Sequence, residues 1–142
     1  MRTLKLSVDE ARRRFTGAAV ARLATVRETG QPHLVPVTFA VDGDRIYTAV
    51  DAKPKTTTNL RRLRNIAADP RVAMLADHYE QDWAGLWWVR ADGIASLLER
   101  PAEVAGPLQL LAARYPQYRA SPPAGPVIRI RVSRWSGWAA SG

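Results

Sequence analysis

Between residues 33 and 41 the chain reads HLVPVTFAV, and the character of the side chain changes at almost every step. Drawn as an extended segment, His33, Val35, Val37, Phe39 and Val41 share one face, and Leu34, Pro36, Thr38 and Ala40 share the other. Asp42-Gly43 follows as a two-residue hairpin signal, and RIYTAV, from Arg45, is the returning strand. Upstream, the small and β-branched run from Val20 to Val26 predicts a strand that ends at RETGQP, a turn built on Gly30. Two longer strands are predicted from Arg71 to about Tyr79 and from Leu86 to about Leu98, the second broken near Gly93. VIRIRVSRW, from Val127, is a final alternating strand. Pro36 sits inside a strand pattern, and proline cannot donate to a ladder, so its place is an edge, a bulge, or a position where a ligand replaces the neighbouring strand.

The helical signals are shorter. Ser7 with Glu10 three residues on forms a capping box opening a helix from Val8 to about Phe15. Leu60, Leu63 and Ala67 recur at helical spacing with Arg61, Arg62 and Arg64 on other faces, and Asp69-Pro70 stops that helix. A further helical segment runs from about Ala102 to Tyr115, bent or restarted at Gly106-Pro107. Six strands with early hairpin turns and only short helices predict a mainly β protein, an antiparallel barrel with helices at its openings. A doubly wound sheet needs regular strand-helix alternation, which this pattern lacks. With no repeats and no linker, residues 1–142 are expected to form one domain, burying roughly 68% of the unfolded surface.

Composition narrows the chemistry. The formal charge of +8 is large for 142 residues and favours an anionic partner such as nucleic acid, membrane phosphate or a phosphorylated small molecule, unless arginine is simply the solubilising residue. Cysteine is absent, which excludes disulfides, thiolate nucleophiles and cysteine-based metal sites. No run of eighteen apolar residues occurs, and the charged start MRTLKLSVDEARRR lacks the apolar core of a signal peptide, so a cytoplasmic location is expected.

The densest candidate site is VDAKPKTTTNLRRLRN, residues 50–65. A strand ends near Val50, a loop carries Lys53, Lys55 and three threonines, and a helix begins near Asn59. The first turn of a helix leaves N–H groups unpaired and its dipole favours an anion. Lysines supply point charge and hydroxyls and amides supply donors, so the stretch fits a phosphate seat. The plainer alternative is that the threonines compete as N-caps and the lysines are merely solvated. The loop lacks the glycines of a nucleotide-hydrolysing P-loop.

In DWAGLWWVRADG, Trp87 and Trp88 must point to opposite faces of a strand; one can fill the barrel, while the other calls for a partner chain or a flat ligand. Trp135 and Trp138 carry the same ambiguity. His33 and His78 are the only histidines and make a poor metal site, His78 being placed among apolar strand neighbours as a hydrogen-bonded structural residue. Ser133 and Ser136 have no nucleophile-elbow context, and Asp77, Asp82 and Asp92 form no acid–base pair. No catalytic side chain is identified, a silence that suits an enzyme whose cofactor carries the chemistry.

The order ATVRETGQPHLVPVTF, DGDRIYTAVDAKPK and NLRRLRNIAADPRVAML resembles the split-barrel flavoproteins of the pyridoxamine 5′-phosphate oxidase-like family, and more closely the branch of coenzyme F420-dependent oxidoreductases. DWAGLWWVRADGIA and RYPQYR (residues 114–119) are similar to one subgroup of that branch, so the resemblance covers nearly the whole chain. It implies a homodimer of six-stranded FMN-binding split barrels with cofactor sites in clefts between subunits. Val35, Pro36, Val37 and Thr38 would then border the tricyclic ring, and Thr48 would lie near the phosphate or ribityl chain. Ala52, Lys53 and Lys55 would hold the phosphate and Asn59 would start the following helix, with Trp87 or Trp88 of the second subunit flanking the ring. The oxidase pattern's arginine and lysine on the ring strand are replaced near His33 and at Thr38, and its C-terminal substrate-binding segment has no match. These departures turn the expectation from pyridoxamine phosphate oxidation towards F420-dependent hydride transfer to a small, flat, conjugated organic substrate. FMN is the alternative cofactor, and a non-catalytic F420 carrier the alternative role. Nucleic-acid binding through Arg61, Arg62 and Arg64 is disfavoured because no aromatic stacking platform accompanies them.

Overall fold

The structure, a computed structural model, describes residues 4–50, 61–123 and 125–141. In chain order it contains β1 (Leu4–Lys5), α1 (Val8–Gly17), β2 (Ala21–Val26), β3 (Pro32–Val37), β4 (Ala40–Asp42) and β5 (Arg45–Ala49). There follow α2 (Arg61–Ala68), β6 (Arg71–His78), a 3-10 turn at Trp83–Gly85, β7 (Trp87–Leu98), α3 (Pro101–Arg114), α4 (Pro116–Ala120) and β8 (Val127–Ala139).

The alternation over residues 33–41 persists, but the one strand it predicts is two. β3 pairs with β2 up to Val37 opposite Ala21, and β4 pairs with β5 from Ala40 opposite Tyr47. The sheet runs β3-β2-β6-β7-β8-β5-β4, with β1 added on β8 and every ladder antiparallel. Its two ends, β3 and β4, are separated in sequence only by Thr38 and Phe39, so the chain itself joins them and the sheet curls closed into a barrel. Leaving aside the two-residue β1 and counting β3 with β4 as one bent strand reduces the eight strands to the six expected.

Side chains keep their alternation through the corner. Val37 and Phe39 belong to the main core, with Val35 and Val41 packed against it, whereas Ala40 belongs to a second cluster outside the barrel. Phe15 of α1 plugs one opening, its ring 4.8 Å from Phe39 and 5.4 Å from Trp135. The second cluster lies under α3, where Tyr47, Ala49, Leu98, Leu111 and Val127 are buried. Large apolar side chains at zero exposure, such as Phe15, Phe39 and Leu23, each contribute roughly 1.5–3 kcal/mol by leaving water.

Turn chemistry places the hairpin one residue later than expected. Asp42 pairs with Arg45, so the loop is Gly43-Asp44, with Gly43 at φ 62°. A single positive φ at the first loop position is what a II′ turn requires, and glycine adopts it without strain. The predicted break in β7 is a bulge. The register steps from Asp92 opposite Arg134 to Gly93 opposite Val132, and a Cβ at Gly93 would stand 2.4 Å from the Arg131 carbonyl oxygen.

The helices depart from expectation in particulars. Ser7 Oγ accepts from the Glu10 N–H at 3.1 Å, but the Glu10 carboxylate turns to Arg13 and Arg14 instead of closing the capping box, and those contacts hold it at a pKa of about 2. The helix then continues two residues past Phe15. α2 buries Leu63, Asn65 and Ile66, whereas Ala67 is exposed, and Leu60 lies outside the described residues. α3 continues through Gly106-Pro107 without restarting, and the helix that does restart is α4, behind Tyr115. Among the described residues no helix is long and apolar enough to cross a membrane.

Candidate functional site

β3 is an edge strand of the described sheet, which explains how it accommodates Pro36. Pro36 stands opposite Arg22 on the paired side, and no strand is paired on the other. Its outward side chains Leu34 and Pro36 are exposed, Leu34 at 65%, while Val37 is buried. Of the expected ring-contact residues, the structure therefore places Val35, Pro36 and Val37 together on one open-edged strand, with Thr38 at its end.

His33 is the second residue of that strand, opposite Thr25 of β2. Thr25 is 1% exposed and its hydroxyl accepts from Asn65 Nδ2 at 2.9 Å, so α2 is fastened to the barrel interior through a buried polar pair. An asparagine in a helix that otherwise reads as apolar against arginine gave no sequence signal of that role. The His33 ring is half-buried, and its Nδ1 is buried with no hydrogen-bond partner among the described residues. Burial first, then the positive charges of Arg27, Arg61 and Arg62, push the imidazole below its ordinary pKa. The positive charge that Arg27, Arg61 and Arg62 exert at His33 favours an anion nearby. Arg62 is itself half-buried, and that burial pulls it below the ordinary arginine value. Beside Thr25 the strands part, because the β2–β6 ladder extends only over Arg22 to Ala24, and a hollow of about 310 Å³ opens between Val26, Pro32 and Arg71.

The expected phosphate-binding residues Ala52, Lys53 and Lys55, with Asn59, lie outside the described residues. Thr48 is buried at 2% exposure on β5, in the row of Ile46 that faces the main core. The two adjacent tryptophans divide as a strand requires. Trp87 packs on the main core beneath Arg14, whose guanidinium carbon is 5.9 Å from its ring. Trp88 takes the opposite face with Arg90 at 5.9 Å, next to Trp138 of β8. On that outer face Leu34, Pro36, Leu75 and Trp88 are partly or fully exposed. Trp135 is a core residue whose Nε1 donates to Asp44 at 2.9 Å. His78, expected among apolar neighbours, is exposed and paired with Glu80 at 2.6 Å, because it ends its strand. Among the described residues no group of three or more His, Asp or Glu is arranged to hold a metal ion.

A further set of residues was not anticipated from their types. Thr38 and Phe39 lie between the two ladders, and their polar groups are taken up by residues 114–118. Arg114 Nη1 donates to the Phe39 carbonyl at 2.9 Å, and its Nη2 donates to the Ala18 carbonyl. Tyr115 accepts from the Phe39 N–H at 3.2 Å, and its hydroxyl reaches the Ala19 and Phe39 carbonyls at 2.9 and 3.1 Å. The Tyr118 hydroxyl is 2.7 Å from Thr38 Oγ1. RYPQYR is distinctive as a string, but only the fold brings it 75 to 80 positions back along the chain.

A family model described as pyridoxamine 5′-phosphate oxidase matches residues 7–139. Over 56 residues the chain is 39% identical to the 5a,11a-dehydrotetracycline/5a,11a-dehydrooxytetracycline reductase of Streptomyces rimosus, a match covering 39% of this chain and 38% of that protein. Among solved structures, an FAD-binding protein of Mesorhizobium loti superposes with a TM-score of 0.79 at 24% identity, covering 99% of this chain and 100% of the other. An FAD-binding protein of Mycobacterium smegmatis superposes with a TM-score of 0.65 at 17% identity, covering 95% and 97%.

Proposed function

Since the chain belongs to the pyridoxamine 5′-phosphate oxidase family, we propose that it is an oxidoreductase that moves a hydride between a flavin-type coenzyme and a small, flat, conjugated organic substrate. The coenzyme we assign is the deazaflavin F420, and the active unit is a homodimer whose outer faces, bearing Leu34, Pro36, Leu75 and Trp88, meet. The observation that carries this reading is an open-edged strand with a proline in it, near whose start His33 holds a buried Nδ1 that has no partner among the described residues. An open edge offers backbone groups to the rim of a planar ring, and the unpartnered His33 Nδ1 offers a further polar contact.

The coenzyme, when bound, supplies the hydride. The chain's residues bind and orient. Val35, Pro36 and Val37 border the ring, and Arg27, Arg61 and Arg62 supply positive potential for an acidic tail, with Lys53 and Lys55 holding the phosphate. The apolar row around the strand excludes water, and the fixed strand sets distance and face for the acceptor. The relative from S. rimosus, a 5a,11a-dehydrotetracycline/5a,11a-dehydrooxytetracycline reductase, supports an organic small-molecule substrate.

Two structural neighbours are described as FAD-binding, which favours a flavin as the second choice of coenzyme. Absorbance titrations of the purified protein with F420, FMN and FAD separate these possibilities. Tight F420 binding, weakened about 10- to 100-fold by Lys55→Ala, is the expected outcome, since a charge-assisted hydrogen bond contributes about 1.5–3 kcal/mol. Binding of none of the three refutes the proposal.

A further inference from the structure

We propose that Tyr118 is a positioning residue of the coenzyme site, its phenol fixing the Thr38 hydroxyl so that the pair faces the polar edge of the bound ring. The inference rests on the reading of β3 as the ring strand and deepens it. Thr38 is the first residue after the chain leaves one ladder, two positions before it joins the other. The contacts that Arg114 and Tyr115 make at this corner are to backbone groups, which any closed barrel of this topology would need satisfied. The Tyr118 contact differs, because it joins two side-chain hydroxyls 2.7 Å apart, and the closure of the barrel does not require it.

A hydroxyl pair has a useful property. Each member carries one proton and two lone pairs, and only one proton is consumed between them. The second proton and the remaining lone pairs stay available, so the pair can donate to a carbonyl or ring nitrogen or accept from a ring N–H. Tyr118 thus stands against Thr38 at the end of the ring strand. Without it, Thr38 can rotate among its staggered positions and its hydroxyl points to no fixed place. Holding the rotamer before binding removes an ordering cost from the binding step.

Tyr118→Phe deletes only the hydroxyl and keeps the ring, which packs at the second core cluster 5.7 Å from Tyr115. Dissociation constants for F420, FMN and FAD are measured by absorbance titration for wild type, Tyr118→Phe, Thr38→Val, Thr38→Ser and the Tyr118→Phe/Thr38→Val double variant. Coenzyme-free melting midpoints are recorded alongside. For whichever coenzyme wild type binds, Tyr118→Phe and Thr38→Val each weaken affinity about 5- to 10-fold, as loss of one hydrogen bond predicts. Thr38→Ser stays within about twofold, the double variant is no weaker than either single one, and the long-wavelength absorption band of the bound coenzyme shifts in Tyr118→Phe. Unchanged affinity in Tyr118→Phe, additive losses in the double variant, or a lowered melting midpoint with neither affinity nor band altered overturns the inference alone. A wild-type chain that binds none of the three coenzymes overturns the reading of the site and this inference with it.

Discussion

Replacing Tyr115 by phenylalanine tests whether the segment behind α3 holds the barrel shut. The phenol accepts from the Phe39 N–H at 3.2 Å and has one proton to share between the carbonyls of Ala19 and Phe39, at 2.9 and 3.1 Å. These contacts do not count equally. Ala19 is exposed, so water can replace the phenol at its carbonyl, and the Phe39 carbonyl keeps its bond from Arg114. The Phe39 N–H is the group that loses its partner, in a residue with no exposed surface. An unsatisfied buried donor costs about 1–3 kcal/mol; with partial access for water at the rim, a loss of about 1–2 kcal/mol is expected. Unfolding entropy of about 2.1 cal/mol/K per residue amounts to about 0.3 kcal/mol/K for 142 residues, so the melting midpoint should fall by about 3–7 °C. Calorimetry on wild type and Tyr115→Phe at neutral pH reads this directly. A midpoint within 1 °C of wild type would refute the idea that the corner depends on this hydroxyl, and barrel closure would then rest on Phe39 packing and the Arg114 contacts.

Two further outcomes are expected. Gly93→Ala places a Cβ 2.4 Å from the Arg131 carbonyl oxygen inside the paired region of β7 and β8, so the backbone must shift; the urea midpoint should drop by the equivalent of about 1–3 kcal/mol, and an unchanged midpoint would mean that the bulge is looser than its register indicates. His33 is held below its ordinary pKa of 6.5, first by burial and then by Arg27, Arg61 and Arg62, so the unfolded chain takes up this proton more readily than the folded one. Stability should therefore fall as pH drops through 6.5 towards the lower folded value, and His33→Asn should lessen that fall; parallel profiles for the two proteins would refute the assignment.

Much of the fold follows from local rules. The period-two alternation over residues 33–41 survives as two rows of side chains, and glycine at positions 43 and 93 marks the hairpin and the irregular point of β7. Six strands with short helices gave a barrel because too little helix was available to cover two faces of an open sheet. The candidate site was legible in part. The strand from Pro32 to Val37 stood out through the conflict between its pattern and Pro36, and the edge position resolves that conflict. Lys53 and Lys55, the charge signal on which the phosphate seat was based, lie outside the described residues.

A pattern of period two tells which residues share a face, but it carries no information about which strand lies alongside. Hydrogen-bond partners across a sheet are chosen by closure of the whole, so only the tertiary structure divides residues 32–42 between the two ends of the barrel. The same holds for the Asn65–Thr25 bond, the inward Trp87 and outward Trp88, and the tyrosines that reach back to Thr38 and Phe39. Each depends on residues distant in the chain meeting once the sheet has curled, a condition that no local window of sequence contains.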